Sequence, residues 1–246
     1  MFTIVTVTYN AESCIQRTLN SVKNQDYPSV EHLIIDGKSK DNTLALCNKY
    51  KAEEQVHQIT IISEPDKGLY DAMNKAIRLA KGKFILFLNA GDIFHSNTTL
   101  SDIVSQNIED AGVLYGNTDI VDSQGKFLFK RRLQPPTTLT WKSFQKGMLV
   151  CHQAFFASTS LAKDCLYDYN YRFSADFDWC IRILKKAEEQ NMPIINTQLI
   201  IADYLQEGMT TRNHKKSLIE RLKIMVKYYG WVTTLFMHIY FVFRNF

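Results

Sequence analysis

The stretch Phe84-Ile85-Leu86-Phe87-Leu88-Asn89-Ala90-Gly91-Asp92 runs five apolar residues into a polar turn. With no polar face to show to water, such a run reads as a strand covered on both sides, as in a parallel sheet. The turn then falls at the strand's carboxyl end, where open α/β sheets bind ligands. The chain before it has the same grammar. Strands are predicted at Ile4 to Thr8, His32 to Asp36 and Ile59 to Ser63, and helices at Ala11 to Asn24, Asn42 to Lys51 and Leu69 to Ala80. Ile15, Leu19 and Val22 recur at helical spacing, Pro28 closes the first helical unit, and Asp41 is placed to cap the second helix. The succession β-α-β-α-β-α-β predicts a Rossmann-like α/β core.

Beyond Asp92 the rhythm changes. A short helix is expected over Thr99 to Asn107, then strands at Val113 to Tyr115 and Ile120 to Phe129, the latter turned back at Ser123-Gln124-Gly125-Lys126 as a hairpin. Pro135 and Pro136 mark a loop, Leu149 to Ala157 a strand, and Phe177 to Gln190 a helix. From His214 the chain reads as helix, rich first in basic and then in aromatic residues. The organisation predicted is a domain over residues 1–212 with a helical appendage over 213–246.

Composition narrows the function classes. Apolar residues make up 46% and charged residues 22%, which excludes a disordered chain. A net charge of +4 over 246 residues gives no reason to expect nucleic acid as the partner. The five cysteines are widely spaced with no C-x-x-C pair, signalling neither a disulfide framework nor a zinc site, and fit a reducing compartment. Met1 to Tyr9 lacks the basic flank of a signal peptide, and no apolar run reaches the roughly 18 to 20 residues of a spanning helix.

Four polar segments follow predicted strands: Thr8-Tyr9-Asn10, Asp36-Gly37-Lys38-Ser39, Glu64-Pro65-Asp66-Lys67-Gly68 and Asn89-Ala90-Gly91-Asp92. The first holds no glycine, so the G-x-G-x-x-G fingerprint of a dinucleotide-binding protein is missing. At these residues the chain resembles the large family 2 of inverting glycosyltransferases with the GT-A fold. The likeness is carried by T-V-T-Y-N at Thr6 to Asn10, I-I-D-G-K-S-K-D-N-T at Ile34 to Thr43, S-E-P-D-K-G-L-Y-D-A-M-N-K-A-I at Ser63 to Ile77, and F-L-N-A-G-D at Phe87 to Asp92. It continues through His152-Gln153-Ala154, Ala175 to Trp179 and Tyr204 to Thr211.

The resemblance implies a mixed sheet flanked by helices and a nucleotide-sugar donor, a UDP-sugar by preference, with hexosyl or N-acetylhexosaminyl transfer. Thr8, Tyr9, Asn10, Asp36, Asp66, Lys67, Asn89, Ala90 and Gly91 are the expected donor contacts, with Arg212 reaching a phosphate from a loop that folds over the donor. Asp92 matches the last acid of the family's D-x-D-like motif, where a carboxylate holds Mn²⁺ or Mg²⁺ on the diphosphate. Asn89 and Gly91 replace carboxylates common in relatives. The ion's remaining ligands are then donor oxygens, water and one further side chain, for which His152 is the candidate; a histidine hydrogen-bonded in the core is the alternative reading. The base that takes the acceptor proton is assigned to Asp176, with Asp178 second and better explained as a first-turn helix acid.

The tail has two readings. Lys215, Lys216, Arg221, Lys223 and Lys227 followed by Trp231, Phe236, Phe241 and Phe243 suit an anchor lying on a membrane surface. The other reading is a helix that packs on the core or pairs two subunits into a homodimer. The anchor implies a lipid-linked saccharide acceptor and a peripheral place on the cytoplasmic, inner face of the plasma membrane, in cell-surface polysaccharide synthesis. A catalytically degenerate GT-A-like module that binds a sugar nucleotide or a partner is the alternative function, kept by the weakened Asn89-Ala90-Gly91-Asp92 motif.

Overall fold

The computed structural model describes residues 1–206 and 214–244. The first half alternates β1 (Phe2–Thr8), α1 (Ile15–Lys23), β2 (Val30–Asp36), α2 (Thr43–Glu53), β3 (Gln58–Ser63), α3 (Leu69–Leu79) and β4 (Phe84–Phe87). β5 (Ile93–Phe94), α4 (Thr99–Val104), β6 (Val113–Val121), β7 (Phe127–Lys130), β8 (Phe155–Ser158), α5 (Thr159–Asp164), α6 (Ala175–Glu189), β9 (Ile194–Leu205) and α7 (His214–Arg244) follow. Two 3-10 turns, Trp141–Lys146 and His152–Ala154, precede β8.

One sheet takes the order β3-β2-β1-β4-β8-β6-β9-β5, with β7 pairing along the free part of β6. β3, β2, β1 and β4 are parallel, and β8 runs against both β4 and β6. The register sets Thr8 beside Asp36 and Asp36 beside Ser63, so three strands end level along one edge. Every residue of β1, β2 and β4 is buried, as their mostly apolar and β-branched composition requires of a two-sided parallel sheet, and in β2 buried Glu31 accepts from Thr3 Oγ1 while His32 lies between Thr6 Oγ1 and the Tyr50 hydroxyl. One core lies between this sheet and α3 and α6, around Val5, Ile35, Phe87, Met73 and Trp179. The opposite face packs Ile4, Leu86, Leu88 and Phe156 against Leu100 and Ile103 of α4.

Several expectations shift. Asp41 supports α2 by accepting from Thr43 N at 3.0 Å, but the capping position itself is Asn42. The two strands expected between Val113 and Phe129 are one long strand and a hairpin partner: β6 runs unbroken through Gly116-Asn117-Thr118, and Asp122 Oδ1 accepts from Gln124 N and Lys126 N to make the turn. Pairing with β9 holds the polar middle of β6 in the sheet, across two register shifts. A Cβ at Gly116 would stand 2.5 Å from Leu199 O, so this close approach requires glycine. The strand expected over Leu149 to Ala157 survives only as β8, because the His152–Ala154 turn occupies its start.

The appendage divides at Gly230, whose φ of 77° and ψ of 164° break the helix. Before it, Ile224 and Met225 are buried in the main core and Ser217 meets Ser174 at the start of α6. After it, Trp231, Val232, Leu235, Phe236, Ile239 and Phe243 follow one helical face and are exposed, Trp231 by 70%. No helix among the described residues is long and apolar enough to cross a membrane.

Candidate active site

The carboxyl ends of β1 and β4, the start of α6 and the end of β9 open on one cleft of about 1050 Å³. Thr8, Tyr9, Asn10, Asp66, Asn89, Ala90, Asp92, His152 and Asp176 all line it, although 168 positions separate Thr8 from Asp176. A second hollow of about 550 Å³, between Gly82 and Gln190, contains none of the strand-end segments.

Asp92 sits at the cleft floor with 4% of its surface exposed. Gln153 Nε2 donates to one carboxylate oxygen at 2.8 Å and Leu205 N to the other at 3.0 Å. Thr18 Oγ1 donates to its carbonyl at 2.7 Å and accepts from Gly91 N, which fixes the turn. Burial dominates over these donors and over the positive charge of Arg17, and pushes the carboxyl up to about 7. Beside it, Asn89 Oδ1 is buried without a hydrogen-bond partner among the described residues, as is Thr8 Oγ1. Two orphaned oxygens and a desolvated carboxylate form a set of hard donors that suits a divalent cation.

His152 is buried against Phe87 and Trp179. Its Nε2 lies 2.6 Å from the Tyr167 hydroxyl, and burial lowers it to about 4, so the ring is neutral. Nδ1 makes no hydrogen bond among the described residues and is the nitrogen left for a metal.

Asp176 stands in the first turn of α6, half-buried, and accepts from Tyr70 Oη at 3.3 Å. Asp178 behaves differently. Its carboxylate is fully buried among Arg182 Nε at 2.6 Å, Lys227 Nζ at 3.2 Å and Tyr228 Oη at 2.8 Å. It ties α6 to α7 and does not line the cleft.

The nucleoside end is less direct than the sequence suggested. Asp36 is completely buried and takes hydrogen bonds from Ser39 N, Ser39 Oγ and Ser63 Oγ, the last at 2.6 Å. It is not a lining residue; it holds the turn whose Ser39 Oγ accepts from Asn10 N at 2.9 Å. Asn10, at φ 49°, accepts in turn from Lys40 N through Oδ1. Asp66 lines the cleft and accepts from Gly68 N at 2.8 Å, whereas Lys67 and Gly91 do not line it. Arg212 lies outside the described residues.

Residues that sequence reading did not single out for the cleft are Arg17, Tyr70, Arg131 and Arg221. Arg17 is held by the carbonyls of Asp122 and Ser123, Arg131 by those of Leu133, Met148 and Leu149, and Arg221 lies over the Phe177 ring. Three arginines, from α1, the loop after β7 and α7, thus line the cleft that holds Asp92. Arg17 had a weak signal, one turn into the helix that follows the first strand-end motif.

The family model described as glycosyl transferase family 2 matches residues 3–165. An uncharacterized glycosyltransferase of Mycobacterium tuberculosis is 32% identical over 229 residues, covering 90% of this chain and 81% of that protein. WfgD of Escherichia coli, a UDP-Glc:α-D-GlcNAc-diphosphoundecaprenol β-1,3-glucosyltransferase, is 27% identical over 89% of this chain and 82% of its own. Among solved structures, Staphylococcus aureus TarS 1–349 with UDP-GlcNAc superposes at a TM-score of 0.70 with 19% identity, covering 92% of this chain and 66% of that one. The mannosyltransferase PcManGT of Pyrobaculum calidifontis, with GDP-Man and Mn²⁺, gives 0.67 at 14% identity, covering 92% of this chain and 64% of that one. The order of four parallel strands followed by a mixed second half is the GT-A arrangement, and the chain belongs to glycosyl transferase family 2.

Proposed function

We propose that this glycosyltransferase moves a hexosyl or N-acetylhexosaminyl group from a UDP-sugar to a hydroxyl of a lipid-linked saccharide, with inversion, in surface polysaccharide synthesis. The observation that carries it is the convergence of Asp92 and Asp176 on one cleft from opposite halves of the chain. The E. coli relative, by its name, uses UDP-Glc and a diphosphoundecaprenol-linked acceptor, and TarS was solved with UDP-GlcNAc.

Asp92, with Asn89 Oδ1 and His152 Nδ1 on the same cleft, would hold Mn²⁺ or Mg²⁺. A bound cation supplies charge neutralisation for the departing diphosphate. Arg17, Arg131 and Arg221 add positive charge to the same cleft, and Thr8 to Asn10 with Asp66 bound the nucleoside end, where Asp36 acts through the Ser39 turn. Asp176 accepts the acceptor's hydroxyl proton as that oxygen attacks the anomeric carbon and the bond to phosphate breaks. Tyr70 donates to Asp176 Oδ1 and orients it.

The exposed ridge from Trp231 to Phe243, preceded by exposed Lys215, Lys216 and Lys223, matches an anionic lipid surface. Unpaired, widely spaced cysteines suit the reducing cytoplasmic side. The domain over residues 1–212 keeps the helix ahead of Gly230 packed on its core, and the exposed face beyond Gly230 serves as the link to the membrane. The test is a donor panel against diphosphate-lipid-linked acceptors with Mn²⁺, with NMR of the product linkage. Transfer with inversion is expected; absence of both turnover and metal-dependent nucleotide binding refutes the reading.

A further inference from the structure

Behind the cleft lies a second group of ligating side chains. Asp119 of β6 and Asp203 of β9 are direct partners in the parallel register, and His95 follows β5, whose Ile93 pairs with Asp203. One ligand atom from each of the three lies within 4.8 Å of the other two, and His95 Nδ1 stands 2.7 Å from Asp203 Oδ1. Like charges side by side on neighbouring strands repel. Lys130 of β7 is the cross-strand partner of Asp119, but the Asp119 carboxylate, 8% exposed, makes no hydrogen bond and no ion pair within 4 Å among the described residues. The His95 side chain is 39% exposed, which opens the group to water and to entering ions.

Side chains alternate along a strand, so Asp119 and Asp203 project from the face opposite Ile120 and Tyr204, which line the cleft. The group is therefore separate from Asp92 and His152. We propose that His95, Asp119 and Asp203 bind a second divalent metal ion that clamps β5, β9 and β6 together. One imidazole nitrogen and two carboxylate oxygens favour Mn²⁺ or Zn²⁺ over Ca²⁺ or Mg²⁺, with water completing the coordination. Ligands about 2.0 to 2.2 Å from one ion are at most about 4.4 Å apart, so small side-chain rotations close the set. The ion fixes the end of β9, and two residues beyond Asp203 the Leu205 N donates to Asp92. It is a positioning site for the donor cleft and is independent of which sugar the enzyme transfers.

The experiment titrates the metal-freed full chain, without nucleotide, with Zn²⁺ and with Mn²⁺, reading stoichiometry by calorimetry and melting temperature by scanning fluorimetry. The wild-type chain and the Asp92→Asn variant are expected to bind one ion here and to melt higher with it. His95→Gln, a surface change, and Asp119→Asn, an isosteric one, are expected to weaken binding by more than about tenfold, since loss of even outer-shell partners costs that much. Without metal, Asp119→Asn is expected to melt close to the wild type, because the change takes the Asp119 charge away from like-charged Asp203 and from oppositely charged Lys130 at once. The proposal is overturned if the wild type binds no ion, if both variants bind as the wild type does, or if binding disappears in Asp92→Asn and persists in His95→Gln.

Discussion

Replacing Asp92 with Asn is expected to change stability with opposite sign at low and high pH. The buried carboxyl sits at about 7 in place of its ordinary 3.8. At 1.36 kcal/mol per tenfold, ionising it inside the fold costs about 4 kcal/mol more than in the unfolded chain. Because the native value is the higher one, the folded state holds more protons than the unfolded state between about pH 4 and 7, and stability falls as pH rises through that window. Asn cannot ionise, and it offers one oxygen where Asp92 offers two. Either Gln153 Nε2 or Leu205 N then loses its acceptor, at about 1 to 3 kcal/mol independent of pH. The variant should be the less stable protein near about pH 4.5 and should gain about 3 kcal/mol relative to wild type by about pH 8. Urea unfolding of both proteins with a chelator present, at several pH values, measures this difference. Parallel curves with a constant offset would show that the carboxyl titrates normally and that the desolvation argument is wrong. In the same variant, Mn²⁺-dependent nucleotide binding should be lost.

Asp176→Asn should leave nucleotide affinity unchanged and lower kcat by about 10²- to 10⁴-fold, the range for a lost general base; an active variant moves the base elsewhere. Asp178→Ala should destabilise the fold by about 1 to 3 kcal/mol in urea melts, since partly buried Arg182 and Tyr228 lose their acceptor while half-exposed Lys227 is left to water, and the folded fraction should still bind nucleotide. Trp231→Glu with Phe236→Glu should abolish co-sedimentation with anionic vesicles and leave the melting temperature unchanged, both side chains being about two-thirds exposed; unaltered co-sedimentation removes the ridge as the lipid contact.

The half of the fold that could be read from sequence is the half governed by local rules. Parallel strands such as Phe84 to Phe87 are continuous apolar runs, and each is followed by a polar turn that the sheet brings to one edge. β9 escaped because Asn196-Thr197-Gln198 interrupt its pattern and Gln198 takes φ 59°, so only pairing with β6 keeps it extended. β6 was divided for the same reason at Gly116 to Thr118. In the cleft, Asp92 and Asp176 were legible as motif positions. Asp36 showed the limit of that reading, since no sequence signal tells that Ser39 and Ser63 occupy its carboxylate. Arg131 and Arg221 were illegible because their relevance depends on where separate elements cross. Asp119 and Asp203, 84 positions apart, become neighbours only through strand register.

The break at Gly230 gives the tail two unlike faces. Its φ of 77° is one that L side chains rarely adopt, and a Cβ there would meet nothing within 4 Å, so the bend is set by the glycine backbone and not by packing at that position. Residues ahead of it are held by Asp178, Ile224 and Met225, and beyond it Thr234, Met237 and Phe241 still turn to the core, while the exposed positions between them answer only to the surface they meet. Docking address and chemistry can therefore drift separately on the exposed face, and grafting Trp231, Val232, Leu235, Phe236, Ile239 and Phe243 onto the matching helix of a related enzyme should relocate it without retraining its catalysis.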